Sequence, residues 1–222
     1  MHRLTLTALT LALIMASPSH GQSPAVSQFV AKAVALQPDR RHGRELYAKR
    51  CSHCHGANGW GDGFEDIPSV AGQRELYLIT QLASFATQER GGSTMHVATA
   101  KKDVNDPQAI RDLAAFLSSE PVNPDPEHAE DAVSAAGGSL YQRNCAICHG
   151  AAAQGSRIDP VPALAGQHYD YLMIQLKSFA KGHRGGVKSP VIDFAAGLSD
   201  EEQKGIADYL SRIASSRSGG GR

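Results

Sequence analysis

All four cysteines of the 222-residue chain fall in two frames of one form, Cys51-Ser52-His53-Cys54-His55 and Cys145-Ala146-Ile147-Cys148-His149. Laying one frame on the other fixes an offset of 94 residues, and the match runs well past the motif. Between residues 46–92 and 140–186, without a gap, 22 of 47 positions are identical. Convergence does not produce such agreement, so the chain holds two copies of one unit, and a fold open to one copy must be open to the other. The shared skeleton includes Leu46-Tyr47 with Leu140-Tyr141, Pro68 with Pro162, and Ala71-Gly72-Gln73 with Ala165-Gly166-Gln167. It continues through Tyr77, Gln81, Ser84-Phe85-Ala86 and Arg90-Gly91-Gly92, which meet Tyr171, Gln175, Ser178-Phe179-Ala180 and Arg184-Gly185-Gly186.

Four cysteines in an exported chain first suggest two disulfides. Their spacing argues otherwise. In a CxxCH frame the two thiols can each add to one vinyl group of a porphyrin, and the histidine that follows lies beneath the iron as an axial ligand. Zinc would need both cysteine pairs to converge on one ion, whereas each pair here heads its own copy. A redox-active dithiol would need a βαβ context, which the sequence lacks. Covalent attachment of two haem c groups is the expectation, through Cys51 and Cys54 in the first copy and Cys145 and Cys148 in the second. His55 and His149 are then the iron ligands. Units of about 80 to 90 residues bury little apolar surface by themselves, and a haem would complete each core. Gly56, Gly59, Gly61, Gly63 and Pro68 suit a loop following a porphyrin edge, and Pro68 and Pro162 each fall 13 residues after their histidine.

Met1, His2 and Arg3, followed by an apolar run over residues 4–16, read as a secretory signal peptide over residues 1–21, too short to span a bilayer. Cleavage is placed before Gln22, with a cut near Ala16 as the alternative. No second apolar run of spanning length follows, so no transmembrane anchor is expected after processing, and the compartment is the periplasm. The remaining length divides into a first domain at 22–117, a linker at 118–136, a second domain at 137–214 and a disordered tail at 215–222. The linker carries Pro121, Pro124 and Pro126 among Asp125, Glu127, Glu130 and Asp131, a composition that resists packing. Lys plus Arg equals Asp plus Glu at 22 each, and this balance gives no footing for nucleic acid.

Periodicity within each copy is helical. Leu76, Ile79, Leu82 and Ala83 recur at three- and four-residue spacings, as do Leu172, Met173, Leu176 and Phe179, predicting a central helix. A last helix starts after Asp106 with Pro107 at its first position, and its counterpart starts at Ser199 with Glu202 three residues on, a capping-box pattern. With a helix leading into each CxxCH, the fold class is all-α, about three helices per copy.

These residues resemble the cytochrome c4 family, dihaem proteins built from tandem class I cytochrome c domains. The resemblance rests on CSHCHG and CAICHG, on IPSVAGQ and VPALAGQ, on the YLxxQLxSFA helices and on the closing LAAFL and IADYL segments. It implies a covalent haem within each domain, with a methionine from the loop before the last helix opposite each histidine. Met95 stands at that position in the first copy, with His96 beside it. The second copy departs from the pattern: strict counting puts Ser189 there, an alignment shifted to the following helix puts Val191, and neither is a useful ligand. Beyond the leader the methionines are Met95 and Met173, and Met173 pairs with Ile79 inside the central helix, a packing position. Lys188 and His183 are nearby donors, each reading more readily as a solvated side chain. The second haem therefore has His149 and an unassigned sixth position.

The resemblance implies an electron carrier rather than an enzyme, serving redox partners that include membrane respiratory complexes. The alternative is a haem enzyme or small-ligand sensor using the second, methionine-deficient haem.

Overall fold

A computed structural model describes residues 22–91, 94–130, 136–184 and 190–213. The leader, Lys188 and Ser189, and the tail at 215–222 lie outside those residues.

The described chain is helical, with no strand among the described residues and one isolated bridge between Asp62 and Ile67. The first unit holds α1 (Pro24–Val34), α2 (Arg40–Arg50), α3 (Ser52–His55), α4 (Glu75–Ala86), α5 (Thr94–Thr99) and α6 (Pro107–Ser119). The second repeats this from α2 onward as α7 (Ala136–Asn144), α8 (Ala146–His149), α9 (Tyr169–Ala180), α10 (Pro190–Ala196) and α11 (Asp200–Arg212). Three helices carry the second core and the same three with α1 carry the first, and short helices form at the CxxCH and before the last helix. The caps read from sequence are made. Asp106 accepts from Gln108 N–H and Ala109 N–H, and Ser199 and Glu202 close a capping box. Helix α1 was not anticipated. Its own start signal is nonetheless written in the chain, Ser23 capping Val26 N–H with Pro24 at the first position.

The helix entering the CxxCH crosses the last helix of its unit, and in both copies a glycine sits at the crossing. A Cβ on Gly43 would collide with the carbonyl of Asp112, and one on Gly137 with that of Gly205. This close approach lets Tyr47 lie 5.6 Å from the Phe116 ring and Tyr141 5.6 Å from Tyr209. Around the first crossing pack Leu46, Leu78, Ile79, Ile110, Leu113 and Phe116, and around the second Tyr141, Leu172, Met173, Ile206 and Leu210.

Residues 120–130 join the units in extended form but are not free of them, contrary to their composition. Asn123 is buried, Trp60 Nε1–H donates to the Pro121 carbonyl at 3.0 Å, and the Glu127 carboxylate accepts from Asp170 N–H at 3.1 Å. Polar side chains and backbone groups of both units supply the partners that the segment cannot supply for itself.

The contact between the units follows a pseudo-two-fold pattern, each bond recurring with both partners shifted by 94. Arg74 Nε–H donates to the Gln154 carbonyl at 2.5 Å, and His168 meets the Trp60 carbonyl at 2.7 Å. Arg90 donates to Tyr171 and Gln175, and Arg184 to Tyr77 and Gln81. Such reciprocity marks an isologous interface, here within one chain.

Candidate functional site

Each CxxCH is a single helical turn that begins where the preceding helix ends. Cys51 N–H bonds Tyr47 O at 2.9 Å and His55 N–H bonds Cys51 O at 2.9 Å, and the second unit repeats the pair at 2.8 and 3.0 Å from Cys145 and His149. The tyrosine of the entering helix then anchors the turn's exit. Tyr47 OH donates to Gly56 O at 2.5 Å and Tyr141 OH to Gly150 O at 2.6 Å. The cysteines are not disulfide-bonded, and the second of each pair is exposed. Burial, reinforced by the neighbouring Cys54, pushes the Cys51 thiol up to about 11, and burial with Cys148 does the same for Cys145.

The histidines are held alike. His55 Nδ1 lies 3.0 Å from the Pro68 carbonyl and His149 Nδ1 3.0 Å from the Pro162 carbonyl. A carbonyl oxygen only accepts, so Nδ1 carries the hydrogen and the lone pair stands on Nε2. Burial pulls both imidazoles below the usual histidine range, the carbonyl bonds opposing only in part. A neutral ring with Nδ1 committed to a carbonyl is the arrangement of a metal-ligating histidine with its outer partner in place. The loop carrying each proline is closed by Gly61 N–H to His55 O at 3.0 Å and Gly155 N–H to His149 O at 2.8 Å. Gly61 has φ 73° and Gly155 φ 69°, and a Cβ on either would run into the backbone at the proline, Ile67 O or Pro162 C. Paired thiols, an oriented neutral imidazole and a glycine-lined loop fit a covalent haem in both units.

Where the resemblance expects a sixth ligand, the units diverge. Met95 lies half-buried on α5, with His96 Nδ1 bonded to the Phe85 carbonyl at 3.1 Å, which ties His96 to the end of α4. In the second unit Val191 is half-buried on α10, and His183 is exposed. Met173 is 7 % exposed within the apolar core beside Leu172 and Ile206, at the position that Ile79 fills in the first unit.

Sequence reading did not assign the residues between the sites. Arg90 stacks on Phe85 at 4.5 Å and Arg184 on Phe179 at 4.7 Å while both reach across the interface. Burial resists ionisation of the Tyr77 phenol, yet Arg184 and Arg90 outweigh it and hold the phenol below its usual value. The available signal was their recurrence in both copies, which marks importance without naming a contact.

The cytochrome c family model matches residues 41–120 and 134–214. Cytochrome c4 of Thiocapsa roseopersicina is 30% identical over 178 residues, covering 74% of this chain and 87% of that protein. The thiosulfate dehydrogenase electron acceptor of Stutzerimonas stutzeri (strain A1501) is 28% identical over 211 residues, covering 85% and 94%. The crystal structure of reduced recombinant cytochrome c4 from Pseudomonas stutzeri superposes with a TM-score of 0.68 at 26% identity, covering 80% of this chain and 100% of that one. Duplicated CxxCH turns on an all-helical, two-unit frame thus agree with the comparisons, and the chain belongs to the cytochrome c family, in its cytochrome c4 group.

Proposed function

We propose that the protein is a periplasmic dihaem electron carrier, moving single electrons between redox partners of a respiratory chain. The observation that carries this reading is the twice-built histidine geometry, a neutral imidazole with Nδ1 given to a proline carbonyl and Nε2 free for iron. Cys51 and Cys54 would hold one haem and Cys145 and Cys148 the other, each supplying a reversible one-electron iron couple. His55 and Met95 would ligate the first iron, where a thioether would favour the ferrous state. His149 would ligate the second. The proline carbonyls fix ring orientation before metal arrives, so little rearrangement accompanies a change of charge. No helix of the described residues is long and apolar enough to cross a membrane, in keeping with a carrier that meets its partners by diffusion. The relative named as an acceptor for thiosulfate dehydrogenase makes a dehydrogenase of oxidised sulfur compounds one class of donor.

A second reading, a haem enzyme or small-ligand sensor, is favoured by one feature: aliphatic Val191 stands in the helix-based alignment where the first unit has Met95. Reduced holoprotein treated with carbon monoxide separates the two. The carrier reading expects two haems that keep their axial ligands, with unequal midpoint potentials and the higher one at the first haem. Stoichiometric carbon monoxide binding at the second haem would replace that reading with the sensor or enzyme.

A further inference from the structure

The bond that orients each haem histidine ends on a peptide group whose other end is held by the opposite unit. Pro68 O accepts from His55, and the N–H of the same peptide, on Ser69, donates to Gln167 Oε1 at 2.9 Å. In the mirror arrangement Pro162 O accepts from His149, and Ala163 N–H donates to Gln73 Oε1 at 2.8 Å. Each glutamine also returns a bond, Gln167 Nε2–H to Ser69 O at 2.8 Å and Gln73 Nε2–H to Ala163 O at 2.9 Å. Gln167 Oε1 accepts a second N–H from His168 at 3.1 Å, and Gln73 Oε1 one from Arg74 at 2.8 Å. Two N–H groups converging on one atom admit only oxygen there, so the orientation of both amides is determined. Both glutamines are buried, 9 % exposed for Gln73 and 8 % for Gln167.

We propose that the glutamines tune the haems crosswise, Gln167 setting the potential of the haem on His55 and Gln73 that of the haem on His149. This rests on the reading of the two histidines as axial ligands. Hydrogen bonds in series polarise one another, most strongly where water is excluded. Acceptance of the Ser69 N–H by Gln167 draws the Pro68–Ser69 peptide dipole out and makes Pro68 O a stronger acceptor. A stronger acceptor at Nδ1 raises the basicity of the imidazole toward its metal, which stabilises ferric iron and lowers the potential. Each unit thus carries a residue acting on the other's iron, through one peptide and two hydrogen bonds.

The test uses the full-length holoprotein with Gln167→Leu, Gln73→Leu and the corresponding Glu variants. Redox titration is followed by NMR, which resolves the His55 and His149 Nδ1–H signals in the ferrous state. Haem content and axial-histidine signals of the unaltered protein are recorded first, and their absence would overturn the haem reading itself. Gln167→Leu is expected to raise the potential of the first haem and shift the His55 Nδ1–H signal upfield with the second haem unmoved, and Gln73→Leu to do the reverse. The Glu variants keep the acceptor and add negative charge, so each lowers the potential of the opposite unit's haem. A response confined to the variant's own unit, an equal response at both haems, or none at either, overturns the crossing. An amide that only pins the interface would give the equal response. Should the Leu variants lose haem, the Glu pair carries the same decision.

Discussion

On the histidine side the two units repeat one another bond for bond. Tyrosine to glycine carbonyl, imidazole to proline carbonyl and glycine N–H to histidine carbonyl agree between copies to within about 0.2 Å. At the position the family gives to the sixth ligand, Met95 of the first unit has no methionine counterpart, and the first unit also has α1, which packs Phe29 and Val30 against its core. The difference separates two kinds of constraint. Covalent attachment and histidine orientation would tolerate one geometry, in keeping with its recurrence in both copies. A sixth ligand would set potential and access, and at the position the family gives to it the copies differ.

The likeness is broken most severely at the helix crossings. Gly43→Val and Gly137→Val each force a side chain against a carbonyl of the facing helix, and each is expected to cost about 3 kcal/mol. Thermal unfolding of the holoprotein monitored by circular dichroism measures it, and a loss in one unit alone would mean that the crossings are not equivalent.

The two methionines sharpen the contrast on the other side. Met95→Leu should lower the potential of the first haem and remove its thioether-ligand absorption band. Met173→Leu, a nearly volume-conserving change in the core, should leave both spectra intact and cost less than about 1.5 kcal/mol. Visible spectroscopy with redox titration decides between them, and a spectral change in Met173→Leu would make that residue a ligand.

The smallest effect lies at Asp103, which faces Arg50 and Lys49 in the first unit. Hydrogen bonds from Arg50 and then Lys49 hold this carboxyl at about 2, against an ordinary 3.8. Its folded value is depressed, so its contribution is present above the ordinary value and is lost as pH falls through about 2. Asp103→Asn should lower stability slightly at neutral pH and leave it unchanged below about pH 2, slightly flattening the dependence of stability on pH across that acid window, read by denaturant unfolding.

Much of this was legible in the chain because the chemistry demands fixed spacing. Two thiols and a histidine on one turn can be recognised without a fold, and the caps at Asp106 and Ser199 are local. Helix α1 carried an equally local signal at Ser23 and Pro24, overlooked because the segment adjoins the leader. The Gln73 and Gln167 amides were visible only as repeated letters. Their partners lie 90 and 98 residues away, and no local rule predicts which peptide of another unit a side chain will find. The packing of residues 120–130 escaped for the same reason, its partners being supplied by the units that it joins.

A contact set in which residue i of one unit meets j of the other, and j meets i, is the arrangement of a homodimer, here tied by its own backbone. Tethering replaces a meeting of separate molecules with an encounter at an effective concentration on the order of millimolar. An interface of glutamines, arginines and tyrosines held in this way does not depend on the concentration of the protein. In a compartment where the protein is scarce, the spacing between its two redox centres stays a property of the polypeptide and not of its abundance.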